Sequence, residues 1–270
     1  TSEAEKTVLI SKPEILNVPA DYPTIQEAIN AARYSDTVVI ADGIYTGTGN
    51  RDIDFVGKSI CVRSQNGPKK CIIDCKNAGR GFQFNGKGGP DSIISGITIK
   101  NGYAPIGGAI MCYKGDPTIS DCIITGNTST GGDVNFGGGG IFCFYGTPII
   151  TNCLIINNHT SSDGGGIFCR YEGGGAIIRN CTIVFNTANN GGGIYASDNC
   201  LIKNSIIWGN SFQQIAGGFD PDSIAFSDIQ GGWSGVGNID SEPLFVDPCG
   251  GDYHLKSEGW RWDKDANEWT

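Results

Sequence analysis

Most apolar residues of this chain fall in runs of two to four, punctuated by Asn and Gly, and the runs repeat. Between Ile94 and Asn210 one phrase is written five times, as IISGITIKNG, TISDCIITGN, IITNCLIINN, IIRNCTIVFN and IKNSIIWGN. A second phrase, GGAIMC, GGGIFC or GGGIYA, accompanies it. With Ile97, Cys122, Cys153, Cys181 and Ser205 aligned, successive copies stand 24 to 31 residues apart. Self-similarity on that scale marks a solenoid, with insertions taken up in loops.

Three positions before the aligned residue stand Ile94, Ile119, Ile150, Ile178 and Ile202, and two positions after it Ile99, Ile124, Ile155, Ile183 and Ile207. A β-branched side chain in every copy suits a pleated, buried surface, so both columns are expected to face inward. Their spacing breaks strict alternation, and the chain must bend between them. Gly96, Asp121, Asn152, Asn180 and Asn204 occupy the bend, residue types that tolerate a left-handed backbone. A further polar column holds Gly102, Asn127, Asn158, Asn186 and Asn210, whose amides are expected to hydrogen-bond up the stack and to turn backbone. Each turn then lays its strands in parallel on the turn before, about 4.8 Å away. The pattern predicts an all-β parallel β-helix, stabilised by coil and nearest-neighbour terms.

The ends depart from the repeat. Residues 1–17 read as an extended arm carrying Val8-Leu9-Ile10. Thr24 followed by Glu27 is a capping box that opens a helix over about 24–32, with Ile25, Ala28, Ile29 and Ala32 on one face. That helix, just before a first strand at Val38–Ile40, would plug the exposed end of the stack. Regular coils are expected from about 37 to 230, the last carried by Ile224, Ser227 and Ile229. The β-helix region, 18–255, would close with a cap folded over the far end at 231–255, followed by a Trp-rich tail at 256–270.

Charge narrows the partners. With 19 Lys+Arg against 28 Asp+Glu the net charge is −9, which disfavours nucleic acid and anionic membranes. No apolar stretch approaches the roughly 18 residues of a membrane span. The chain opens at Thr1, which fits a processed secreted protein or a trimmed chain. Among eleven cysteines, Cys122, Cys153 and Cys181 fall in one inward column and Cys112, Cys143 and Cys169 in another. They are expected to be free, buried thiols acting as small apolar fillers, whereas Cys71, Cys75 and Cys249 are freer to pair. No zinc-ligand spacing is present.

The stretch VPADYPTIQEAINAA…DTVVIADGIY resembles the opening of pectin-lyase-like right-handed β-helix proteins, which include pectin methylesterases. GGGIFC…TPIITNCLIINN, and SDIQGGWSGVGNIDSEPLFVDPCGGDYHLKS near the end, resemble the secreted bacterial β-helix proteins typical of planctomycetes. The resemblance spans nearly the whole chain and implies a right-handed coil and an extracellular location. Its chemistry does not carry over. The methylesterase GxYxE motif ends here in Gly47 (Gly43-Ile44-Tyr45-Thr46-Gly47), and the GHG of polygalacturonases is missing. No catalytic residue is transferred from either family.

Two residue sets remain as candidates. On the outward column Ser95, Ser120, Thr151, Arg179, Lys203, the last two would be neighbouring cations, as a lyase base and charge stabiliser need to be. After the GGGIxC phrases come Tyr113-Lys114, Phe144-Tyr145, Arg170-Tyr171 and Ser197-Asp198. Aromatics recurring on one edge could stack on sugar rings, with Lys114, Arg170 and Glu172 supplying hydrogen bonds. No Asp/Glu cluster supports Ca²⁺, and Asp263-Lys264-Asp265-Ala266-Asn267 reads as a polar turn. No metal or other cofactor is expected. The sequence thus points to a secreted or surface-exposed structural or adhesive solenoid that contacts polysaccharide along its aromatic edge. One alternative is a lyase-type polysaccharide enzyme. The other is a filament subunit that self-associates through the N-terminal arm or the C-terminal tail by strand addition.

Overall fold

A computed structural model describes residues 12–86, 91–131, 136–170, 175–197, 200–256, 262–263 and 268–269. Within them the chain winds through about eight turns and builds three long parallel sheets. Sheet 1 runs from Ile15–Val18 and Thr37–Ile40 to Ile224–Ala225; sheet 2 from Gly43–Tyr45 to Asp228–Ile229; sheet 3 from Ile53–Asp54 to Ile215–Gly218. A short ladder of Tyr103–Ala104, Thr128–Ser129 and His159–Thr160 bridges sheets 2 and 3 in the middle coils. The coil-to-coil pairings are parallel and in register: Ile94 meets Ile119, Ile119 meets Ile150, and Ile150 meets Ile178.

Both predicted isoleucine columns face the interior, fully buried. The bend between sheets 1 and 2 is left-handed in every repeat, with φ of 68° at Gly96, 55° at Asp121, 54° at Asn152, 53° at Asn180 and 51° at Asn204. The other polar column also points inward: Asn127, Asn158 and Asn186 are wholly buried and bonded to one another. The GGG phrases have two separate causes. Gly164 turns the chain at φ 70°, while at Gly165 a Cβ would lie 2.4 Å from the Gly192 carbonyl oxygen of the next coil. Only a hydrogen fits between those backbones.

All eleven cysteines are free, including Cys71, Cys75 and Cys249. In the central column Cys153 donates from Sγ to the Thr151 carbonyl at 3.2 Å and Cys181 to that of Arg179 at 3.2 Å. Ser205 makes the same bond to the Lys203 carbonyl at 2.9 Å. Thiol and hydroxyl therefore do one job there: each satisfies a turn carbonyl from inside.

The helix spans Ile25–Ala31, with Thr24 as N-cap accepting the Glu27 N–H, and buries Ile25, Ala28 and Ile29 across the open end of the core. Two expectations about the ends need correcting. The arm assigned to residues 1–17 contributes strand Ile15–Val18, which pairs with Thr37–Ile40, so the stack begins earlier; Val8-Leu9-Ile10 lie outside the described residues. At the far end the cap is much shorter than 231–255. Residues up to Ile239 close the last coil, with Trp233 packed on the core and Ile239 bridging to Asp228. The chain then turns back. Phe245–Asp247 and Asp252–Leu255 form an antiparallel hairpin on the outer face of sheet 2, where Phe245 packs against Ile156 and Val184. That face carries apolar side chains at outward positions, Leu154, Ile156, Val184 and Trp208, and burying them drives the return. Most of the Trp-rich tail lies outside the described residues; Trp262–Asp263 pairs with Glu268–Trp269.

Candidate functional site

Two outward faces of the solenoid hold the candidate residues. On sheet 3 the strands Ile110–Tyr113, Ile141–Phe144 and Ile167–Arg170 place Tyr113, Phe144 and Arg170 in one register column. The Tyr113 and Phe144 rings stack at 6.0 Å with 6° between planes. At the corner just after each strand stand Lys114 and Tyr145, both left-handed, with φ of 55° and 58°. The Tyr145 ring meets Phe144 edge-on at 4.3 Å and Tyr113 at 6.3 Å. The Lys114 ammonium lies 5.5 Å from the Tyr113 centroid and 5.7 Å from that of Tyr145. Tyr113 and Tyr145 keep 38% and 41% of their surface exposed, whereas Phe144 is half-buried. Sequence spacing therefore brings together Tyr113, Lys114, Phe144, Tyr145 and Arg170, while Tyr171, Glu172 and Asp198 lie outside the described residues.

An inner aromatic row underlies this edge. Met111, Phe142, Phe168 and Tyr195 form the other outward column of sheet 3, with Phe142 stacked on Phe168 at 5.3 Å and Phe168 on Tyr195 at 5.3 Å. Phe136 folds over them from a loop, 5.3 Å from Phe144, and the Arg170 guanidinium lies 5.5 Å over the Phe136 ring. The signal was present in the repeats: the fifth letter of GGAIMC, GGGIFC and GGGIYA is methionine or an aromatic residue at every copy. This row anchors the exposed edge to the solenoid.

On sheet 1 Arg179 and Lys203 are direct register partners on adjacent coils, and both are exposed. They line an open depression of about 670 Å³ with Thr151, Leu201 and the corner residues Asn152, Asn180 and Asn204. Its lining holds two cations, amides and aliphatic surface, but no carboxylate. Among the described residues no group of three or more His, Cys, Asp or Glu side chains is placed to hold a metal ion.

Fold and register define a parallel β-helix. A family model described as "Right handed beta helix region" matches residues 107–224, the most regular coils. Among solved structures the chain is similar to the pectate lyase Pel9A, with a TM-score of 0.55 and 16% identity over 82% of this chain and 61% of that one. It is also similar to a pectin methylesterase in complex with a hexasaccharide (TM-score 0.49, 13% identity, 82% and 71% covered) and to the pectin methylesterase from Aspergillus niger (0.46, 14%, 86% and 87%). The chain thus spans about three fifths of the length of the pectate lyase. No curated protein sequence matches it. At these identities the likeness is one of fold, and fold alone does not assign chemistry.

Proposed function

We propose that this chain is an extracellular, non-catalytic solenoid module that contacts polysaccharide along the outer edge of sheet 3. One observation carries the reading: Tyr113 and Tyr145 stand exposed on successive coils with the Lys114 ammonium against both rings. Aromatic faces beside a cation form a surface on which sugar C–H groups can lie while the charged group takes hydroxyls. The backbone supports it. Left-handed φ at a residue with a Cβ costs about 1–2 kcal/mol, and glycine would avoid that cost, yet Lys and Tyr occupy these two corners. No helix among the described residues is long and apolar enough to cross a membrane. The test is binding to immobilised cell-wall and extracellular polysaccharides. The Tyr113→Ala, Tyr145→Ala double variant should lose binding; undiminished binding would remove the proposal.

The pairing of Arg179 with Lys203 favours a second reading, an enzyme of the lyase type acting at the sheet 1 depression. One of the pair would take the proton next to a uronate carboxylate while the other offsets the charge that develops, and the glycosidic oxygen would depart to leave a carbon–carbon double bond. A rise in unsaturated-uronate absorbance that disappears in Lys203→Ala would establish it. If wild type gives no such rise with polyuronates, this reading fails and the first is untouched.

A further inference from the structure

The return of the C-terminal hairpin does more than cover apolar surface. Between its strand Asp252–Leu255 and the corner where sheet 1 turns into sheet 2 it closes a cleft of about 300 Å³. Tyr253 and Leu154 supply apolar wall, and Asp121, Asn152 and Asn180 line the opposite ridge. These three ridge residues are the left-handed corner residues of consecutive coils, so backbone geometry rather than loop packing sets their positions. Asp121 is held in place: its carboxylate accepts from the Asn152 amide at 3.3 Å and from the Ser95 hydroxyl at 3.5 Å.

At the mouth stands His254. Its Nδ1 meets Asp252 Oδ1 at 2.5 Å, and its own backbone N–H donates to the same oxygen at 3.0 Å. That contact orients the ring and leaves Nε2 as its other polar atom. The charged groups of the lining are the Lys69 ammonium and the Asp121 and Asp252 carboxylates, one cation against two anions. The cleft therefore offers an apolar wall, a fixed carboxylate, two amides and an imidazole, with an excess of negative charge that disfavours anionic ligands. Its volume lies at the small end of the ligand-site range, enough for a single ring.

We propose that this cleft is a ligand site for one neutral, hydroxyl-rich sugar ring, with the ring's C–H face toward Tyr253 and its hydroxyls toward Asp121, Asn152, Asn180 and His254. It lies on a different face from the aromatic edge and does not depend on it.

The chain has two histidines, so imidazole proton NMR reads the site directly, with His159→Gln assigning the signals. Methyl glucoside and methyl galactoside serve as probes. At least one should shift the His254 resonances saturably and leave those of His159 in place, which also reports an intact fold. Asn180→Gly keeps the left-handed corner and should weaken the interaction at least tenfold. Tyr113→Ala with Tyr145→Ala should leave it unchanged, so failure here and failure at the edge are distinguishable. The proposal is overturned if neither glycoside moves the His254 signals, or if the shift survives Asn180→Gly combined with Tyr253→Ala at full affinity.

Discussion

The carboxamide of Asn158 donates from Nδ2 to Oδ1 of Asn186 on the next coil at 3.0 Å, and that same oxygen also accepts the backbone N–H of Asn158 at 2.9 Å. One buried side chain thus closes two donors of its neighbour, and the motif repeats from Asn127 to Asn210, with Gly102 giving only its backbone N–H at one end and Gln214 taking the final bonds at the other. Asn158 accepts from both the backbone N–H and the amide of Asn127 and donates to the Ile124 carbonyl. Asn158→Ala would strand several of these groups without water. Each costs about 1–3 kcal/mol when left unsatisfied, so a loss of roughly 3–5 kcal/mol is expected in urea denaturation. Gln214→Ala, at the ladder's wetter end, should cost about 1 kcal/mol.

The central thiol column admits hydroxyls, because Ser205 and Ser227 already occupy it and donate to the turn carbonyls as the cysteines do. Cys153→Ser should therefore stay within about 1 kcal/mol of wild type. Cys143 has Cys112 and Cys169 as its register neighbours, in a column with no hydroxyl to copy. Cys143→Ser should cost about 1–3 kcal/mol, the penalty for a poorly paired buried hydroxyl. Equal melting shifts for the two variants would contradict this distinction.

Burial pushes the Cys71 and Cys75 thiols up to about 12, from 9.0 in the unfolded chain, with nearby acidic groups adding to the effect. The sign follows from linkage. The folded state keeps these protons where the unfolded state loses them, so the stabilisation is complete below pH 9 and is lost progressively as pH rises toward 12. Denaturation midpoints should fall between pH 9 and 11, and less steeply in Cys71→Ala with Cys75→Ala. An identical slope in that variant would assign the alkaline loss to other groups.

Phe245 is the hairpin's main hold on sheet 2, buried against Ile156 and Val184 and edge-on to Tyr253 at 5.3 Å. Phe245→Ala should cost about 3 kcal/mol. Because the coils stack without the hairpin, the loss should appear as local opening, with dye binding to the uncovered Leu154 and Trp208 face before the global transition. A single cooperative transition with no early dye signal would mean that the hairpin and the coils unfold together.

The core was legible because every coil solves the same problem in the same way: isoleucine inward at two positions, a left-handed residue at the bend, an amide behind it. Repetition turns a weak preference at one site into a column. Where a feature occurs once, that leverage disappears. The hairpin path could be anticipated only from apolar residues at outward positions of sheet 2, a signal that competes with the expectation of a cap beyond Gly231. The aromatic edge was half visible: Tyr113, Phe144 and Tyr145 recur, but Phe136 comes from a loop outside the repeat and reaches the cluster through the fold alone. The left-handed backbone of Lys114 and Tyr145 was hidden because neither residue type advertises it.

That hidden strain permits a test in which backbone and side chain pull apart. At an ordinary strand position alanine is more stable than glycine by about 0.5–1 kcal/mol. At Lys114, with φ of 55°, the order should invert, since alanine keeps the left-handed cost of about 1–2 kcal/mol and glycine does not. Lys114→Gly should therefore be about 1 kcal/mol more stable than Lys114→Ala in denaturant titration. Both variants remove the ammonium from the Tyr113 and Tyr145 rings, so both should lose polysaccharide affinity to the same degree despite their different stabilities. If affinity instead followed stability, the ammonium would matter only through the fold. If both variants bound like wild type, the glycan would have to lie elsewhere on the solenoid.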